Sequence, residues 1–440
     1  MNNEAALQRW LARVVAVRPQ EIRALLFSFA YFFCLLAAYY VLRPLRDEMG
    51  IAGGVRNLPW LFTATFVVML FAVPVFGAVV ARMARARFIP LVYHFFVFNI
   101  ALFWLVLTLE LNKVLVAQIF FVWISVFNLF AVSVFWSFMA DLFKSEQSKR
   151  LFGFIAAGGS VGALAGPALT VALSVKLGPT NLLIVAVIFL EIAVFCVRRL
   201  EREAPQAQEL PIATDTAVPA EKSGLGGGSL AGFLLVLRSP YLAGIALWVF
   251  LLSLAGTFLY LAQANIVAAA SDDPAVRTRI FATIDLAVGV LTLIVQFCAT
   301  GRLISRFGVG PAAAFLPLVF AGGFAMLAAS PVLMGVVIFS ALQRTANFAI
   351  SNPAREILFT VLRREEKYKA KYVIDGVVFR GADAASGGLF ALLRDNAGMS
   401  LPAIAMVTVP VAIGWLVLAL GLGRMQEQRA PQGEQGSNAV

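Results

Sequence analysis

The chain has 440 residues, 61% of them hydrophobic, with a formal net charge of +11 and a mean hydropathy of +0.87. Soluble domains run at about 45–50% apolar residues, so a water-soluble fold is excluded and lipid must be the solvent. The apolar runs are long and continuous rather than short and alternating, which excludes a barrel and leaves α-helices that satisfy their own backbone.

Taken in chain order, the first signal is amphipathic. Leu7, Trp10, Leu11, Val14 and Val15 fall on one face of a short helix that also carries Arg9, Arg13 and Arg18. That pattern predicts a helix lying on the inner membrane surface, and no removable signal peptide is seen. A span needs roughly 20 apolar residues. On that rule about twelve spans follow, near 22–43, 58–80, 88–110, 114–142, 150–174, 180–199, 240–263, 277–300, 309–329, 331–354, 369–393 and 402–423. Lys and Arg collect in alternate connections. Arg82, Arg85 and Arg87 follow span 2, Lys144, Lys149 and Arg150 follow span 4, Arg302 and Arg306 follow span 8, and Arg363, Arg364, Lys367, Lys369 and Lys371 follow span 10. The positive-inside rule then puts both termini in the cytoplasm and accounts for the net charge without nucleic acid. Residues 201–239 are polar and rich in Pro, Gly and Ala, and read as a flexible cytoplasmic linker. They divide the chain into an N-terminal six-helix half (1–200), a C-terminal half (240–424) and a tail (425–440).

The fold class expected is therefore all-α: a polytopic membrane protein of twelve transmembrane helices in two six-helix halves. An internal echo supports it. Gly77 and Arg82 follow span 2 at the same offset as Gly301 and Arg306 after span 8. The echo resembles the Gly-x-x-x-Asp-Arg-x-Gly loop of the major facilitator superfamily, with Ala81 and Ser305 at the Asp position. Span 5 carries Gly158, Gly162 and Gly166 before Pro167. This small-residue stripe lets helices approach closely, and the spacing with Gly153 also resembles the antiporter motif of facilitator-type exporters.

Ionisable residues inside spans cost about 2.5–3.5 kcal/mol on insertion scales, so they face a cavity or a partner. Span 1 ends Tyr39, Tyr40, Val41, Leu42, Arg43, Pro44, Leu45, Arg46, Asp47, Glu48. Arg43 and Arg46 either present two guanidinium groups to a phosphate or carboxylate or form an interfacial cluster neutralised by Asp47 and Glu48. Span 10 carries Gln343, Arg344 and Asn347; span 11 carries Lys371 and Asp375, then Arg380 and Asp383. These form a cavity wall for an anion or ion pairs that pin helices. Asp285 lies deep in span 8, either taking a coupling proton or meeting an arginine. Glu191 and His94 are weaker candidates, and Asp141 ends span 4. Cys34, Cys196 and Cys298 show no metal or disulfide spacing, and there is no Walker loop or nucleophile triad, so no metal, cofactor or enzyme activity is expected.

At this point the chain resembles the ATP/ADP translocase family, the nucleotide carriers of plastids and obligate intracellular bacteria. The likeness rests on Tyr39–Asp47, on Phe135, Trp136, Ala140 and Asp141 with Lys149 and Arg150, and on three later blocks. Those are Asn352, Pro353, Arg355 and Glu356; then Lys369, Lys371, Ile374 and Asp375; then Arg380, Gly381, Ser386, Gly387 and Gly388. The family's span 7 carries charges that contribute to nucleotide exchange, whereas Leu254–Tyr260 here has none. The resemblance implies the fold but not ATP/ADP as substrate; with the intramembrane arginines, the expectation is a secondary carrier of an anionic solute, nucleotide or phosphorylated, working by alternating access as a monomer in a bacterial cytoplasmic membrane. The substrate-binding set is Tyr39, Arg43, Arg46, Asn128, Arg344, Asn347 and Arg380; the coupling or gating set is Asp47, Asp141, Asp285, Glu356, Lys371, Asp375 and Asp383. Two other readings stay open: a proton-coupled exporter of an apolar or zwitterionic compound, and a membrane scaffold without transport.

Overall fold

The computed structural model describes residues 17–82, 85–143, 145–208 and 229–437, and all regular structure among them is helical. The surface helix expected from Leu7, Trp10 and Leu11 lies outside the described residues, as do linker residues 209–228 and the side chains of Ala81 and Arg82. Spans 1 to 6 are Ile22–Ala52, Leu58–Arg82, Arg85–Thr108, Lys113–Leu142, Ser145–Leu177 and Leu182–Gln208. Spans 7 to 12 are Pro240–Ala270, Pro274–Phe307, Val309–Ala329, Leu333–Leu358, Glu365–Asn396 and Leu401–Arg429. Among the described residues, 11 helices are long and apolar enough to cross a membrane. The other is span 6, whose apolar stretch is interrupted by Glu191, Arg198 and Arg199.

Two stretches read as linker are helical. Residues 201–208 prolong span 6, and Ser229–Arg238 forms a short helix of its own. Leu230, Phe233, Leu234 and Leu237 recur there at i, i+3, i+4 and i+7, an amphipathic period that the flanking Gly-rich composition conceals. Ser239 then caps span 7 by accepting from the Leu242 N–H at 3.4 Å, with Pro240 in the first turn.

The chain resolves into two compact units. Unit 1 comprises Met1–Gly53, Val67–Ala217 and Asp273–Leu286; unit 2 comprises Gly54–Phe66, Val218–Asp272 and Ala287–Val440. Spans 2 and 8 each change unit partway along, at residues 66/67 and 286/287.

Unit 1 is built on span 1. Gly158, Gly162 and Gly166 of span 5 lie against the carbonyls of Phe29, Phe33 and Ala37. Both series step by four residues, so one ridge of span 1 backbone fits one groove of span 5. A Cβ at Gly162 would sit 2.3 Å from the Phe33 oxygen, which no side chain tolerates. Aromatic packing fills the rest: Phe32 stacks on Phe135 at 4.0 Å, and Tyr31 donates to Tyr93, whose hydroxyl reaches the Ala131 carbonyl at 3.1 Å. The start of span 1 is tied down by Glu21, which is buried. Its carboxylate accepts from the Arg18 N–H at 3.0 Å, Gln147 at 2.9 Å and Arg150 at 3.1 Å. Burial alone would raise the Glu21 carboxyl. The Arg18, Gln147 and Arg150 hydrogen bonds and the Arg150 charge outweigh it and hold the group below the usual carboxylate range.

Unit 2 centres on Trp248 and Trp415, fully buried with ring centroids 5.5 Å apart, beside Phe320 and Phe339. Its helices carry π-helical turns at Gln296–Thr300, Asn347–Ser351, Tyr372–Val378 and Leu392–Asn396. A π-turn breaks the regular i→i−4 ladder, and neighbouring groups take up the released carbonyls. The Thr300 hydroxyl donates to the Ala349 carbonyl at 2.8 Å, joining the π-turns of spans 8 and 10.

Gly162→Ala should destabilise the protein by about 1–3 kcal/mol, the usual range for overpacking. Gly256→Ala, where an added Cβ meets nothing within 4 Å, serves as the neutral control. Thermal unfolding in detergent compares them, and equal midpoints would refute the close-packing role. For Glu21, a depressed carboxyl contributes stability above its unfolded pKa and loses it as pH falls through the lower folded value. Glu21→Gln should therefore lower the unfolding midpoint at neutral pH, and the gap to wild type should close on acidification below the ordinary carboxylate range.

Candidate functional site: paired charges within the helices

The candidate residues separate into two groups, one in each unit. In unit 1, the end of span 1 continues as helix through Pro44 to Ala52, so Arg43, Arg46, Asp47 and Glu48 stay on helical geometry. Tyr39 and Tyr40 pack edge to face at 5.2 Å, and the Arg43 guanidinium lies 5.8 Å from the Tyr40 ring centre. Arg46 stacks over Phe121 at 5.0 Å and donates from Nε and Nη2 to Asp47 Oδ1 at 3.0 and 2.7 Å. Arg43 reaches Asp285 of span 8 at 3.6 Å. Glu48 meets Arg277, also of span 8, through two bonds of 2.7 Å each, with both side chains buried.

Charge order explains this packing. Along span 1 a cation at 43 precedes an anion at 48; along the antiparallel start of span 8 a cation at 277 precedes an anion at 285. Each helix meets its opposite sign at both levels. Isolated charges in lipid are expensive, so two matched rungs fix this face more sharply than apolar contact would. Glu48 and Arg277 were not in the candidate sets. Arg277 lies at the beginning of the apolar run, where a snorkelling residue is unremarkable. The one available signal was its sign, opposite to that of Asp285 along the same helix. Asn128 is half-buried on span 4, and Asp141 is exposed at the end of that span. Away from the set, His94 and Glu191 meet at 3.9 Å.

In unit 2 the charges cross between spans 10 and 11. Arg355 reaches Asp375 at 3.4 Å, and Lys371 bonds Glu356 at 2.9 and 2.7 Å. The i, i+4 spacing of Lys371 and Asp375 would also suit a pair within span 11; the helix instead sends both side chains to span 10. Arg380 and Asp383 do meet along their own helix, but only at 3.8 Å. Asp383 also accepts from Ser253 and Thr257 of span 7. Gln343 of span 10 is buried, and Arg344 and Asn347 are half-buried. Nearby, Ser340 donates to Gln263 of span 7 at 2.6 Å. Asn347 Oδ1 and Ser351 Oγ are buried and find no hydrogen bond among the described residues. No group of three or more His, Cys, Asp or Glu side chains suited to a metal occurs among the described residues.

Long apolar helices in two units, with ion-paired charges inside them, define a polytopic membrane protein. Three solved transporters share the fold. A bacterial homologue of the iron transporter ferroportin, in an inward-facing state, matches with TM-score 0.65 and 12% identity over 92% of this chain and 98% of that one. A POT family transporter bound to a thioalcohol-conjugated peptide gives TM-score 0.62 and 12% identity over 92% and 96%. The nucleoside transporter NupG gives 0.57 and 15% over 93% and 99%. The chain belongs to the TLC ATP/ADP transporter family, which it matches over residues 115–425. ADP,ATP carrier protein 1 of Chlamydia muridarum is 21% identical over 93% of this chain and 89% of its own length. Its counterpart in Chlamydia trachomatis serovar D is 22% identical, over 93% and 90%.

Removing one partner of a buried ion pair strands the other, at a cost of about 3–5 kcal/mol. Glu48→Gln and Arg277→Gln should each lower the thermal unfolding midpoint in detergent markedly. The exchange Glu48→Arg with Arg277→Glu should recover most of the loss. Single variants as stable as wild type would show that the pair does not hold span 8 to span 1.

Proposed function

We propose that this protein is a secondary carrier that moves an anionic solute, of nucleotide or phosphorylated type, by alternating access. It acts as a monomer in a bacterial cytoplasmic membrane, with both termini on the cytoplasmic side, where Lys and Arg concentrate. The observation that carries this reading is the state of the candidate arginines. Arg43 and Arg380 lie against carboxylates at 3.6 and 3.8 Å, looser than the 2.7 Å bonds of Glu48 to Arg277. Coulomb attraction falls as distance grows, so the loose pairs yield first.

An unliganded carrier needs neutral pairs inside the membrane, or its guanidinium groups would be stranded. An arriving phosphate or carboxylate replaces Asp285 or Asp383 with a better bidentate partner. Charge then stays balanced before and after binding, which is the condition for the loaded carrier to change conformation at low cost. In unit 1 the further candidate donors are Tyr39 and Asn128; in unit 2, taken by itself, they are Arg344 and Asn347. The Chlamydia relatives named as ADP,ATP carriers support an anion of this class. With Leu254–Tyr260 uncharged, the solute carries fewer negative charges than the fully ionised triphosphate.

The test is uptake of labelled ADP, ATP and organic phosphates into vesicles holding purified protein, with variants reconstituted to equal density. Arg43→Ala and Arg380→Ala should each reduce uptake at least about tenfold, equivalent to about 1.4 kcal/mol of lost binding. Uptake of every anion unchanged by both substitutions would overturn the reading. Efflux that collapses with the proton gradient and ignores phosphates would favour the proton-coupled exporter.

A further inference from the structure

Span 7 has no charge between Leu254 and Tyr260, yet it presents two hydroxyls four residues apart, Ser253 and Thr257, both buried. Buried helical hydroxyls usually donate to the carbonyl one turn back. Thr65, Thr170, Thr278 and Thr408 all do so, to Leu61, Gly166, Pro274 and Ile404. Ser253 and Thr257 instead reach across to span 11 and donate to Asp383. Ser253 Oγ also lies 3.4 Å from the Phe379 carbonyl, on the turn that leads into Arg380. Asp383 is thus gripped from the span 7 side, while Arg380 stands 3.8 Å off with its side chain 41% exposed.

We infer that Ser253 and Thr257 are positioning residues that set the anion affinity of Arg380 by holding Asp383 away from it. The inference rests on the proposed anion carrier and names what tunes its unit 2 cation. A carboxylate has a limited set of lone pairs, and hydroxyl donors that occupy them lower its attraction for a neighbouring guanidinium. Without the two hydroxyls, Asp383 closes on Arg380 in the tight geometry that Glu48 and Arg277 display. The cation is then satisfied inside the protein and lost to the ligand. Two neutral side chains therefore act on charge recognition without touching the anion.

Phenylglyoxal, an arginine-selective reagent, reads the availability of Arg380 without any transported solute. The measurement is its modification rate at Arg380, followed by peptide mass spectrometry on the full-length protein in detergent. Ser253→Ala with Thr257→Val should slow modification at least about threefold, since a freed carboxylate competes for the guanidinium. Asp383→Asn should speed it, and adding Asp383→Asn to the double variant should abolish the slowing. Ser253→Thr with Thr257→Ser, which keeps both hydroxyls, should restore the wild-type rate. In vesicles that take up ADP, the double variant should raise KM and leave kcat nearly unchanged. Modification that is unchanged or faster in the double variant overturns the inference. Should that variant not fold, a rate in Asp383→Asn at or below wild type does the same. A protein that transports no anion yet shows the predicted reactivities would sink the carrier reading and leave the positioning role standing.

Discussion

Every charge placed within these helices needs an opposite charge, and that single requirement organises the molecule. In water an unpaired arginine is solvated at no cost; in hydrocarbon it has to find a carboxylate or destabilise the span that carries it. The end of span 1 shows the outcome. Its cations and anions dictate which residues of span 8 lie beside it, and with them which part of the chain completes unit 1. The same demand in unit 2 joins span 10 to span 11 through Arg355, Asp375, Lys371 and Glu356.

The pairs differ in how firmly they hold, and the difference follows from what else each carboxylate does. Glu48 gives both oxygens to Arg277, a closed arrangement suited to fixing helices. Asp383 shares its oxygens with two hydroxyls and keeps only a loose hold on Arg380. A transporter needs both kinds. In the proposed carrier, pairs that never exchange would keep the fold intact, and pairs that exchange would let a solute enter without leaving a bare charge behind. The chemistry of the acid is common to all of them; hydroxyl neighbours and geometry separate the roles.

Much of this was legible in the sequence, for physical reasons that can be stated residue by residue. Span positions follow from hydrophobic length, and the glycine stripe of span 5 follows from a period of four, because both are local. The positions of the charges were equally plain, but their partners were not. Asp285 read as a proton site or as an arginine's partner, and only three-dimensional packing brings Arg43 to it. Arg277 passed unnoticed at a helix start. Ser253 and Thr257 lay in a stretch noted for lacking charge, and hydroxyls in an apolar run give no sign of bonding across helices. The short helix Ser229–Arg238 was hidden by the composition around it. The division of spans 2 and 8 between units has no counterpart in the pattern at all, since each is one unbroken apolar run.

The contact between spans 1 and 5 bears on motion as well as stability. Where Gly158, Gly162 and Gly166 meet the carbonyls of Phe29, Phe33 and Ala37, main chain rests on main chain, with the Phe29 ring and Tyr40 Cβ packed alongside. Such a seam has teeth. Sliding by less than a full helical turn would drive Cα atoms into oxygens, which opposes movement of one helix along the other. Arg43 and Arg46 stand two turns beyond the last tooth, at the tip of that strut. In the proposed alternating-access cycle, that strut would carry the two cations as one piece with span 5.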